Sequence, residues 1–145
     1  MKTVLFLCTG NAVRSQMAEG LVNGRYGDPW RPVSAGVEPK GLDPKAVQAM
    51  AEIGIDIATQ RSKPVEEFAG QSFDRVVTLC DDAAQRCPVW PGAALKLHLP
   101  FDDPGGVRAE GGGDAEALAV MRRVRDEMVL RLPEALRPVE RMTTT

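Results

Sequence analysis

Cys8 and Arg14 are separated by five residues, Thr9, Gly10, Asn11, Ala12 and Val13, a spacing that suits a loop wrapped around one tetrahedral anion. The planar guanidinium of Arg14 can hold two oxygens of such an anion, where a lysine would offer a single point charge. A thiol beside fixed positive charge is biased towards thiolate, which makes Cys8 the candidate nucleophile. Ser15 could donate its hydroxyl to that sulfur. A lone C-x5-R pattern also arises by chance, and a cysteine at a strand end is ordinarily a small buried hydrophobe. Context favours chemistry here. Val4-Leu5-Phe6-Leu7 precedes the pattern as an apolar run of strand length, and Gln16-Met17-Ala18-Glu19 follows it as the opening of a helix. A strand, a glycine-containing loop and a helix N-terminus together turn backbone N–H groups and positive potential towards an oxyanion, without a metal.

Cys8 with Arg14 supports attack on phosphate or a phosphate-like anion through a covalent sulfur adduct. Asp103, beside Pro104, is the candidate proton donor; a carboxyl over an anion site keeps its proton more readily because of the neighbouring negative charge. A phosphatase needs no more than this, so Cys80 and Cys87 decide the reaction. Arsenic(V) accepts two electrons far more readily than phosphorus(V). A second thiol attacking the Cys8 adduct would expel arsenite and leave a disulfide, and a third could carry the oxidation outward by thiol–disulfide exchange. This relay requires the 80 to 92 segment to move, because Cys80 must meet Cys8 first and Cys87 afterwards.

The 145 residues fit one domain, read as 1–145, with a core large enough to need neither metal nor disulfide. Eighteen basic against twenty acidic residues leave a net charge of -2, without the basic excess of a nucleic-acid binder. No basic start leads into a cleavable apolar segment, and no apolar run approaches the roughly eighteen residues of a membrane span. A cytoplasmic monomer without membrane contact is expected. Three cysteines are too few for a disulfide framework and suggest catalysis in a reducing compartment. With one histidine, His98, zinc is a poor fit, and no metal or cofactor is expected.

The elements that would position these groups alternate in type. Strands are read at Lys2–Leu7, Trp30–Ala35, Phe73–Leu79 and, half-exposed, Ala94–Leu99. Helices are read from Gln16 to about Tyr26, stopped by Gly27-Asp28-Pro29, and from Pro44 behind the cap Asp43, with Val47, Met50, Ala51 and Ile53 inward and Gly54 at its close. Gly36 suggests a tight exit near the first loop. Val65–Phe68 reads as a helical turn, Asp81–Gln85 as a short helical segment and Gly111–Gly113 as a mobile loop. Asp114 reads as the cap of a last helix carrying Leu118, Met121, Val124, Met128 and Leu132 to a stop at Pro133. The alternation implies an α/β domain of three layers, a four-stranded parallel sheet with helices on both faces. Cys8, Cys80 and the Asp103 loop would emerge at its carboxyl edge, where such sheets carry their sites.

At Cys8-Thr9-Gly10-Asn11, Arg14-Ser15-Gln16-Met17-Ala18-Glu19, Val77-Thr78-Leu79-Cys80, Cys87-Pro88 and Phe101-Asp102-Asp103-Pro104 the sequence closely resembles the thioredoxin-coupled arsenate reductases, which share the fold of low-molecular-weight protein tyrosine phosphatases. The resemblance implies arsenate as substrate, phosphate or sulfate as competing oxyanions, and thioredoxin as electron donor. It makes Cys8 the nucleophile, Cys80 and Cys87 the first and second resolving thiols, Arg14 the oxyanion clamp and Asp103 the general acid, with Thr9 to Ser15 forming the anion loop. Some relatives bind potassium through residues matching Asn11, Glu19, Ser34 and an acidic position that is Lys63 here, so weak potassium dependence is expected. A tyrosine phosphatase is the competing reading, against which no tyrosine follows Asp103-Pro104 and the sole tyrosine is Tyr26. A non-catalytic redox sensor, with Cys80 and Cys87 recording oxidation, is the third.

Overall fold

A computed structural model of the chain describes residues 2–27, 29–80, 93–101 and 113–137. The expectations for Asp81–Gln85, Cys87, Asp103 and residues 111–112 of the Gly111–Gly113 loop lie outside those residues. Four parallel strands form one sheet in the order β2-β1-β3-β4, where β1 is Lys2–Cys8, β2 Trp30–Gly36, β3 Phe73–Thr78 and β4 Ala93–His98. The sheet is flanked by helices, as the alternation requires. β1 is central because Val4, Leu5, Phe6 and Leu7 are all fully buried, the unbroken apolar run of a strand covered on both faces. Its register runs from Lys2 opposite Trp30 to Cys8 opposite Gly36 on one side, and from Val4 opposite Arg75 to Leu7 opposite Thr78 on the other. β4 is one of the two edge strands, and its Lys96 and His98 are exposed.

α1 spans Arg14–Leu21, beginning at the arginine itself rather than at Gln16. The expected continuation to Tyr26 exists in altered form: Val22–Tyr26 is a π-helical turn closed by Gly27 N–H donating to the Val22 carbonyl at 2.7 Å. Gly24 lies against Ile55 there, where an added Cβ would come within 3.1 Å of its side chain. α2 is Pro44–Ala51, with the Asp43 carboxylate accepting from Lys45 N–H at 2.9 Å. Its buried face is Ala46, Ala49 and Met50, whereas Ala51 is exposed and Val47 half-buried; small residues let this helix sit close to its neighbours. Val65–Phe68 is a 3-10 turn. The last helix, α3, runs Asp114–Arg131, so its cap is Gly113 and not Asp114. Met121, Val124, Met128 and Leu132 are buried as the stripe requires, with Leu118 partly so. Pro133 converts the end into a 3-10 turn, Leu132–Leu136. No described helix is long and apolar enough to cross a membrane.

Two buried guanidinium groups tie the C-terminal elements to the sheet and to α2. Arg75 on β3 donates to the carbonyls of Ala135, at 2.6 Å, and Arg137, and lies 5.1 Å from the Trp30 ring. Arg125 on α3 donates to the Ala49 carbonyl and to Glu52, each at 2.8 Å, and Glu52 also receives Arg122 at 2.6 Å. Arg122, then Arg125, holds the Glu52 carboxyl down at about 2 from its ordinary 4.5. A depressed carboxyl pKa contributes stability above its unfolded value and loses it as pH falls through the folded one. Urea unfolding should therefore find Glu52→Gln less stable than the parent at pH 7. The difference should shrink below pH 4.5 and vanish near about 2.

Candidate active site

The anion loop is fastened from outside by its carbonyls. Those of Cys8, Thr9, Gly10 and Ala12 accept from the N–H groups of Val37, Glu38, Lys40 and Asp43 at 2.8–3.3 Å. The Asn11 carbonyl accepts from Gln16 Nε2 at 3.0 Å, and that of Gly10 also from Ser62 Oγ at 3.2 Å. In a trans peptide the N–H points opposite the preceding carbonyl. The N–H groups from Thr9 to Val13 are thus turned to the other side of the loop, where Cys8 begins it and α1 starts at Arg14.

Asn11 shapes this turn. Among the described residues it is the one non-glycine at positive φ, +46°, a conformation asparagine tolerates better than most. Its side-chain amide has a determined orientation, because Lys63 N–H donates to Oδ1 at 2.8 Å and only an oxygen can accept. Nδ2 then faces Ser15 and donates to its Oγ at 2.7 Å. With that lone pair taken, the Ser15 hydroxyl hydrogen is free to point at Cys8 Sγ, 2.9 Å away. When Cys8 is a thiolate the sulfur accepts this bond, the arrangement its attack on an anion needs. Gln60 Nε2 orders the same network from behind, donating to Gln16 Oε1 at 2.8 Å, which turns Gln16 Nε2 towards Asn11 Oδ1 and the Arg61 carbonyl at 3.0 and 2.8 Å.

Cys80 lies two residues past the end of β3 and is buried, with its Sγ 3.3 Å from the hydroxyl of Thr9, the residue next to Cys8. Leu79 N–H donates to the Leu7 carbonyl at 2.8 Å, so the chain reaches Cys80 while still paired to β1. Arg14 is buried and donates through Nη1 to the Phe101 carbonyl at 3.2 Å; Phe101 N–H in turn donates to the Leu79 carbonyl at 3.0 Å. Cys8, Thr9 to Ser15 and Cys80 are thereby brought together, whereas Cys87 and Asp103 lie outside the described residues. Cys8 and Cys80 are both buried. The supporting residues Gln60 and Ser62 carry no signal in the sequence; each is a polar side chain whose role exists only once residues 60 to 63 pack beside the loop.

A parallel four-stranded sheet with a Cys–Arg anion loop between its central strand and first helix defines the low molecular weight phosphotyrosine protein phosphatase class, and the family model of that description matches residues 3–100. The chain belongs to this family, in its arsenate reductase branch. It is 49% identical to an arsenate reductase of Bacillus subtilis over 92% of its own length and 94% of the relative's. Among solved structures it is similar to an arsenate reductase in the phosphate-binding state, with a TM-score of 0.77 and 33% identity over 92% of this chain and 95% of that one. It is also similar to a thioredoxin-dependent arsenate reductase of Corynebacterium glutamicum, with a TM-score of 0.64 and 25% identity over 94% of this chain and 62% of that one.

Gly36 explains how β2 approaches the loop. A Cβ there would lie 2.7 Å from Asn11 N and 2.8 Å from the Thr9 carbonyl oxygen, and backbone atoms cannot swing aside as a side-chain tip can. Gly36→Ala should cost about 1–3 kcal/mol of stability by overpacking. Calorimetric titration with sulfate should find its affinity weakened at least tenfold in the variant.

Proposed function

We propose that this protein reduces arsenate to arsenite by a three-thiol relay regenerated by thioredoxin. Arsenate enters the loop with its oxygens on the N–H groups of Thr9 to Val13 and on Arg14. The Cys8 thiolate attacks arsenic, and an arsenate oxygen leaves as water after taking a proton from Asp103. Cys80 then attacks the Cys8 sulfur. The sulfur–arsenic bond breaks with its electron pair going to arsenic, arsenite departs, and a Cys8–Cys80 disulfide remains. Cys87 attacks Cys80 and releases Cys8, and the Cys80–Cys87 disulfide is reduced by the dithiol of thioredoxin. Two thiols supply the two electrons, so neither metal nor cofactor enters. The observation that carries this reading is the 3.3 Å contact between Cys80 Sγ and Thr9, a second buried thiol against the residue that follows the nucleophile.

The loop offers phosphate the same donors it offers arsenate, so weak phosphatase turnover accompanies the reductase activity. The relay needs reduced thiols and a thioredoxin, which is the ground for proposing a cytoplasmic location.

Consumption of NADPH with thioredoxin and thioredoxin reductase tests the proposal. Arsenate should drive it strongly, and glutathione with glutaredoxin should substitute poorly. Cys8→Ser should abolish both reduction and hydrolysis of p-nitrophenyl phosphate. Cys80→Ser and Cys87→Ser should keep the hydrolysis but fall by more than a hundredfold in multiple-turnover reduction, with Cys87→Ser still releasing about one arsenite per protein. Steady reduction by Cys87→Ser with thioredoxin would remove the third thiol from the scheme.

A further inference from the structure

Lys63 is the one lysine among the described residues whose whole side chain is withdrawn from solvent, with 9% of its side-chain surface exposed. Its Nζ lies 3.6 Å from Glu19 Oε1, itself on a side chain 13% exposed, and donates to the Arg61 carbonyl at 2.8 Å. Ser34 Oγ donates to the same Glu19 oxygen at 2.7 Å. A charge so enclosed persists only when paired, and here a cation is already supplied by the chain. The residues matching the potassium ligands of some relatives do meet, but an ammonium stands in their midst, and a second cation does not fit beside it.

The consequence reaches the nucleophile through the backbone. By bonding to the Arg61 carbonyl and to Glu19 of α1, the ammonium pins residues 61–63 against that helix. Those residues present the Lys63 N–H to Asn11 Oδ1 and the Arg61 carbonyl to Gln16 Nε2. The first of these contacts sets the Asn11 amide, which sets the Ser15 hydroxyl, which faces Cys8 Sγ. We propose that Lys63 is a positioning residue whose ammonium acts as a resident cation in place of a dissociable one, keeping the anion loop and the Cys8 sulfur aligned whatever monovalent salt is present.

The turnover part of the test rests on the reductase reading, so two measurements that need no arsenate chemistry accompany it: the rate of Cys8 alkylation by iodoacetamide in Cys80→Ser/Cys87→Ser protein, and the affinity for sulfate. Exchanging sodium for potassium at constant ionic strength should change the parent less than twofold in all three. Lys63→Met in sodium should slow alkylation and weaken sulfate binding more than tenfold, and potassium should restore part of both. Lys63→Arg should stay near the parent. Should Lys63→Met fail to fold, the neutral pair Glu19→Gln/Lys63→Met decides, because it leaves no unpaired charge and yet lacks the pin. Parent-like alkylation and sulfate affinity in either methionine variant, or severalfold stimulation of the parent by potassium, would overturn the proposal.

Discussion

The left-handed backbone of Asn11 is the constraint on which the rest of the site depends. Such a conformation costs a residue with a Cβ about 1–2 kcal/mol. Its side chain makes three hydrogen bonds, with Lys63 N–H, Gln16 Nε2 and Ser15 Oγ, each worth about 1 kcal/mol net. Together they exceed the cost, so the turn is held by its own amide and by the neighbours that fix it. Because one oxygen of that amide faces a main-chain N–H, the donors and acceptors from Lys63 to the Ser15 oxygen are assigned.

Much of this arrangement is legible in the residues themselves. The apolar run at Val4–Leu7, the β-branched content of Phe73–Thr78 and the alternation of Leu95 and Leu97 with Lys96 and His98 are local signals, and they locate three of the four strands to within a residue or so. The Cys8 to Arg14 spacing and the cap at Asp43 are equally local. Where the reading departs from the structure, a tertiary contact decides. The end of α1 widens into a π turn where Gly24 meets Ile55, and the inward face of α2 is its alanines at 46 and 49 rather than Ala51, because close helix packing selects small residues that hydropathy barely distinguishes. Gln60 and Ser62 belong to the site only through contacts 44 and 52 residues distant in sequence, beyond the reach of any pattern along the chain.

The family's phosphatase chemistry and the reductase chemistry share one cradle. In the proposed scheme Arg14, the loop amides and Cys8 serve any tetrahedral oxyanion, phosphate and arsenate alike. Discrimination in this scheme falls on the electron-transfer step, since only arsenic accepts the pair released when a second sulfur attacks. Cys80 lies ready for that role because β3 is hydrogen-bonded beside β1 and parallel to it, so both strands deliver a cysteine to the same end of the sheet.

The outward fastening of five successive carbonyls, from Cys8 to Ala12, has a mechanical corollary. A segment anchored at so many points behaves as an anvil. For two sulfurs to come within bonding distance, the displacement must be taken up beyond the last ladder bond of β3, on the side of Cys80. In the proposed relay the stroke of the redox cycle would then belong to one arm, with the loop that grips the oxyanion holding its shape.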